Sequence, residues 1–99
     1  MNIGAAIRKS RIRQGMTQQE LCTRMGLTQS FMSQIESGKR ETTTKQLKKV
    51  ALILDTPLEL IMFMSMDRDQ VLPENRKFYD IVKPIINDWI EQILESKTD

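Results

Sequence analysis

Apolar positions recur three and four residues apart through most of this 99-residue chain, the spacing of one face of an α-helix. Helix start signals fall between them. The stretches TQQE at 17–20, TTKQ at 43–46 and TPLE at 56–59 each fit a capping box. In that motif a threonine hydroxyl accepts the amide three residues on, while Glu or Gln reaches back. Pro57 suits a first helical position, and Thr28 suits a simple cap, with Phe31 denying it the full box. Gly15, Gly26 and Gly38 stand where helices should end, because glycine enters the left-handed conformation without steric cost. Five short helices are predicted, over 3–14, 18–25, 29–37, 44–54 and 57–66. A polar linker over 67–72 follows. Pro73 then starts a further helical region, interrupted or bent at Pro84, which has no amide proton to donate. No stretch alternates as a strand does. The pattern is all-α: one domain over 1–66 and a helical segment over 73–99.

The third predicted helix has an unusual face. On a helical wheel Gln29, Ser30, Ser33, Gln34 and Ser37 fall on one arc. Phe31, Met32 and Ile35 take the other side, with Glu36 at the border. An ordinary solvated face carries Lys and Glu; this one offers uncharged hydrogen-bonding groups, which suits readout of base edges. Two short helices joined by a glycine turn, with the small Cys22 in the first, are the signature of a helix-turn-helix.

The C-terminal segment is apolar over an unusually wide arc. Ile81, Val82, Ile85, Ile86, Trp89, Ile90, Ile93 and Leu94 form two adjoining columns spanning roughly 220°, against about 100° for one packed face. Such a helix is expected to pack on its own domain and on a partner. Ile85, Ile86, Trp89, Ile90 and Ile93 are the dimerisation candidates, with Trp89 the natural anchor.

Charge sharpens the picture. The net charge of +2 hides ten Lys and Arg against three Asp and Glu in residues 1–49, and five against ten in residues 50–99. A basic half beside an acidic half suits a chain that meets a polyanion on one side. Composition excludes much else. One cysteine and no histidine leave no internal disulfide framework and argue against a zinc site. Cys22, with no histidine to activate it, reads as a small buried hydrophobe. Met62, Met64 and Met66 read as adaptable packing. No paired carboxylates suggest acid–base catalysis, so neither enzyme activity nor a metal or cofactor is expected. The longest apolar runs fall far short of the roughly 20 residues of a membrane span. Arg8, Lys9, Arg11 and Arg13 leave no room for a signal-peptide core, and a cytoplasmic location is expected.

The segment MTQQELCTRMGLTQSFMSQIESGKR, residues 16–40, resembles the phage-repressor type of helix-turn-helix, the Cro/C1 or XRE-like family of bacterial and phage regulators. The likeness extends over about residues 3–60. It implies a five-helix repressor-like DNA-binding domain with a C-terminal extension, and helix 29–37 in the major groove. Gln29, Ser30, Ser33 and Gln34 would then read bases, Gln29 by bidentate bonding to adenine. Thr17, Gln18, Ser37, Lys39 and Arg40 would hold the DNA backbone. The resemblance also implies an ion pair between Arg11 and Glu36. The wheel agrees, since Glu36 borders the buried side and needs a partner there. The chain departs from the family where Cys22 replaces a frequent alanine, and where Glu41 and three threonines stand in a loop that often carries proline. The implied function is sequence-specific regulation, as a repressor, by a homodimer on a palindromic operator in double-stranded DNA. The alternative is an interaction module or antitoxin that grips a partner protein through its C-terminal helices.

Overall fold

The structure is a computed structural model; it describes residues 2–98, with side chains through residue 92. Six α-helices follow one another: α1 (Ile3–Arg13), α2 (Gln18–Met25), α3 (Gln29–Glu36), α4 (Thr44–Ile53), α5 (Leu58–Ser65) and α6 (Arg76–Thr98). Two short 3₁₀ turns, Arg68–Gln70 and Pro73–Asn75, lie between α5 and α6. No strand occurs among the described residues.

The caps explain most of the boundaries. Thr17 and Thr43 form full capping boxes with Glu20 and Gln46, each hydroxyl accepting an amide at 3.0 and 3.1 Å. Thr28 accepts from the Phe31 amide at 3.1 Å. Gly15, Gly26 and Gly38 have φ of 71°, 71° and 82°. A side chain would be strained in all three left-handed turns.

Two expectations need correction. The box over 56–59 does not form: Pro57 is itself the N-cap and α5 begins at Leu58. Thr56 is buried, and its hydroxyl donates at 3.0 Å to the Leu54 carbonyl, at the end of α4. That carbonyl is one of the unpaired acceptors of a helix terminus, so Thr56 serves the end of α4, and α5 starts without a side-chain cap. Of the two alternatives at Pro84, the interruption does not occur: α6 continues through it. Proline leaves the Asp80 carbonyl without its intrahelical donor, but Asp80 and Pro84 are both exposed, so water can supply one.

One apolar core joins α1 to α5. Ile7, Leu21, Met32, Ile35, Val50, Leu54 and Ile61 are almost wholly sealed from solvent. Each such side chain stabilises the fold by about 1.5–3 kcal/mol relative to exposure. Helix α1 packs on both α3 and α5, and α2 on α3 and α4. Gly4 marks where α1 crosses the end of α3. Any side-chain carbon there would run into the Ile35 carbonyl and lie 3.1 Å from that of Glu36. Lys49 of α4 donates at 3.3 Å to the Met25 carbonyl, a cation at the negative end of α2.

Helix α6 folds back on the domain. Ile90 packs against Leu60 of α5, with Ile86 and Met64 beside them. The Tyr79 hydroxyl donates to the Met66 carbonyl at 3.3 Å. Arg68 holds Asp80 with contacts from 2.9 to 3.2 Å, and Arg13 of α1 reaches Glu91 at 2.8 Å. The 67–72 stretch is thus tied to α6 at its first turns. Helix α6 divides along its length into an inner face of Tyr79, Ile86 and Ile90 and an outer stripe of Phe78, Ile81, Ile85 and Trp89.

Candidate nucleic-acid interface

Helices α2 and α3 meet across a turn made by Gly26, whose amide N–H bonds to the end of α2, with the Leu27 amide donating to the Cys22 carbonyl at 2.9 Å. Cys22 is buried and its thiol donates to the Gln19 carbonyl at 3.2 Å, so a small residue stands where the helices approach. Met32 and Ile35 anchor the inner side of α3 in the core.

A buried ion pair fixes the far end of α3. Arg11 Nε and Nη2 donate to the two carboxylate oxygens of Glu36 at 2.8 and 2.9 Å. The third Arg11 nitrogen, Nη1, donates to the Met16 carbonyl at 2.9 Å, tying the α1–α2 turn to the same group. Gln18 Nε2 adds a bond to Glu36 at 3.3 Å. The pair is forked, two nitrogens to two oxygens, the arrangement in which Arg–carboxylate contacts are strongest. It links α1, the start of α2 and the end of α3 into one rigid unit.

The outward face of α3 is what this unit displays. Gln29, Ser30 and Ser33 are exposed, and Gln34 is half-buried. Beyond Gly38 the chain turns back. The amides of Lys39 and Arg40 donate to the Gln34 carbonyl at 2.9 and 3.2 Å, and the Ser37 hydroxyl to the same carbonyl at 3.2 Å. Arg40 reaches across to the Gln34 side chain at 3.1 Å and lies over the Phe31 ring at 4.3 Å from its centroid. Phe31, half-buried, is thus a platform for Arg40. The Arg40 clamp has no signal in helix periodicity, because it comes from the residue after the turn.

Thr17 and Gln18 stand at the start of α2, the positive end of its dipole. Thr17 is exposed, while Gln18 is half-buried and already engaged by Glu36. Ser37, Lys39 and Arg40 are all exposed at the other end of α3. Of the sequence-derived base-reading and backbone candidates, Gln18 and Gln34 are half-buried and bonded to protein partners, and the other seven are exposed.

The dimerisation candidates separate. Ile85 and Trp89 are 63% and 51% exposed on the outer stripe, whereas Ile90 is 1% exposed and belongs to the inner face. Ile86 is half-buried beside it. Ile90 is therefore spent on the chain's own core and is not available to a partner in this arrangement. Ile93 lies outside the residues whose side chains are described. Phe78 and Ile81, at 69% and 59% exposure, extend the outer stripe instead.

Among the described residues, no helix is long and apolar enough to cross a membrane.

Residues 7–61 match a family described as helix-turn-helix. The "Uncharacterized HTH-type transcriptional regulator y4dL" of Sinorhizobium fredii is 44% identical over 61 residues, covering 62% of this chain and 30% of that protein. The "ImmF control region 10 kDa protein" of Bacillus phage phi105 is 28% identical over 59 residues, covering 60% of this chain and 66% of that protein. Neither relative is matched over its whole length. Both matches are about the size of the α1–α5 unit.

Proposed function

The chain belongs to the Cro/C1-type helix-turn-helix family of DNA-binding transcriptional regulators, and from that premise we propose that it represses transcription by binding a specific duplex site with α3 in the major groove. The observation that carries this reading is the uncharged, exposed face of Gln29, Ser30 and Ser33 on a helix locked from behind by Arg11 and Glu36. Phosphate attraction falls to the flanks: the start of α2 at Thr17 and Gln18, and the exposed Ser37, Lys39 and Arg40 after α3. The division suits a protein whose affinity comes from phosphates and whose selectivity comes from base edges. The phage relative is named for a control region, which fits a regulatory role.

A second copy of the chain is the partner proposed for the outer stripe of α6. Two α6 helices running antiparallel about an axis near Lys83 and Pro84 would set Phe78 against the partner's Trp89 and Ile81 against the partner's Ile85. Lys77 and Asp88 lie on one flank of the stripe, and this pairing brings Lys77 toward the partner's Asp88. The apolar stripe and its charged flank are both self-complementary, as a twofold interface requires. A pair of reading helices then fits a palindromic operator with half-sites about 34–36 Å apart. A different protein on the same stripe is the competing reading.

Binding to random-sequence duplex at increasing salt tests the proposal. A steep loss of affinity with salt is expected from counterion release. Absence of binding at any salt contradicts it and favours a protein partner.

A further inference from the structure

Arg40 stands just past the glycine that ends α3 and folds back over that helix. Its Nε donates to Gln34 Oε1 at 3.1 Å, and its guanidinium lies 4.3 Å from the Phe31 ring centroid, within cation–π range. The backbone closes the same loop, because the Arg40 amide donates to the Gln34 carbonyl at 3.2 Å. Two side chains of the recognition helix are therefore held by one residue outside it.

This contact has a chemical consequence for Gln34. A free carboxamide can turn end over end, offering either its oxygen or its NH2 group. An arginine side chain carries donors only, so the carboxamide atom that meets it must be the oxygen. With one lone pair of Oε1 taken by Arg40 and the amide orientation fixed, Gln34 offers chiefly its two N–H donors elsewhere.

Resting on the DNA-reading function proposed above, we infer that Arg40 is a positioning residue for specificity: it makes Gln34 a donor and so selects a keto base over an amino base. Guanine presents O6 and N7 to the major groove and thymine presents O4, all acceptors. Adenine offers only N7 as an acceptor and sets its N6–H2 donor beside it, and cytosine offers N4–H2 alone. Both therefore match the donors of Gln34 less well than guanine O6 and N7 or thymine O4 do. The bidentate adenine contact of an unclamped glutamine turns the oxygen to N6–H2; here that oxygen already accepts from a guanidinium, which leaves it the weaker acceptor and polarises the NH2 group into the stronger donor. The terminal nitrogens of Arg40 stay available for a phosphate, so one residue serves both the DNA backbone and the base-reading geometry.

The test uses the full chain and a site selected from a random duplex library. The base pair read by Gln34 is the one at which Gln34→Ala loses discrimination. Four duplexes differing only there are then titrated with the wild type, Arg40→Ala and Gln34→Glu. The wild type is expected to prefer guanine or thymine on the contacted strand over adenine and cytosine by about tenfold. Arg40→Ala should bind all four more weakly, while adenine rises to within about twofold of the best keto base. Gln34→Glu, which cannot donate, should shift the preference toward cytosine. Arg40→Ala with the wild-type base ranking overturns the inference and leaves DNA reading intact. So does a Gln34→Ala protein that loses discrimination nowhere. A wild type that selects no site overturns the reading on which the inference rests.

Discussion

Glu36 takes three donors on one carboxylate, two from Arg11 and one from Gln18, in a pocket where the Arg11 and Glu36 side chains are only 10% and 3% exposed. A buried pair of this kind adds little beyond what an apolar pair would, but losing one partner strands a charge away from water. Glu36→Ala is therefore expected to cost about 3–5 kcal/mol, read as a fall in the denaturant midpoint. Combining Glu36→Leu with Arg11→Met should recover most of that loss. A midpoint unchanged in Glu36→Ala would show that the pair does not hold α3. Gly4 makes the opposite point about propensity. Alanine favours a helix over glycine by about 1 kcal/mol. Gly4→Ala should nevertheless destabilise by about 1–3 kcal/mol, because the added carbon meets backbone carbonyls of Ile35 and Glu36 that have nowhere to go. Stability at or above wild type would mean that α1 and α3 separate freely. The family resemblance made the ion pair legible in the sequence, and Glu36 at the edge of an apolar arc agreed with it by calling for a partner. The demand on Gly4 was not legible. It is set by the backbone of another helix, and no local pattern records that.

At the level of elements, the proposed function makes α3 a reading surface and its flanks anchors, so substitutions in the two places should behave differently. Gln29→Ala is expected to relax preference at one base pair by about 1–3 kcal/mol while other positions keep theirs. Lys39→Ala should weaken all sequences alike and lower the salt slope by about one. Equilibrium titrations across a panel of single-base variants separate the two; uniform weakening by Gln29→Ala would remove its readout role. Helix limits were close to readable, because the Thr17 and Thr43 boxes and the three left-handed glycines are local devices. The box at Thr56 did not form: Thr56 bonds back to the end of α4, and α5 begins one residue later, at Leu58. Acid should loosen the join between the 67–72 stretch and α6. Hydrogen bonding from Arg68, joined by its charge, holds the Asp80 carboxyl below its usual range. The support is therefore present above the ordinary carboxylate pKa and is lost as pH falls through the depressed value. Both groups are well exposed, so the effect is expected in amide exchange near the start of α6 rather than in global stability.

For the whole molecule, the described part of the wide apolar arc of α6 resolves into two faces. Its width alone suggested contact on two sides, yet which column turned inward depended on α5, where Leu60 receives Ile90. That left Phe78, Ile81, Ile85 and Trp89 facing out. Trp89→Ser with Ile85→Glu is expected to give a folded monomer, seen as halved mass in sedimentation with an unchanged helical spectrum. Lys77→Asp should weaken the dimer, and adding Asp88→Lys should restore it, because only the antiparallel pairing brings those two together. A monomeric wild type, or a dimer indifferent to all four changes, would move the stripe to another partner. The most direct trial of the central claim is selection of bound sites from a random duplex library by the intact chain. The account predicts enrichment of a twofold-symmetric sequence, with one position in each half losing its preference in Gln29→Ala. No enrichment over random duplex would contradict it.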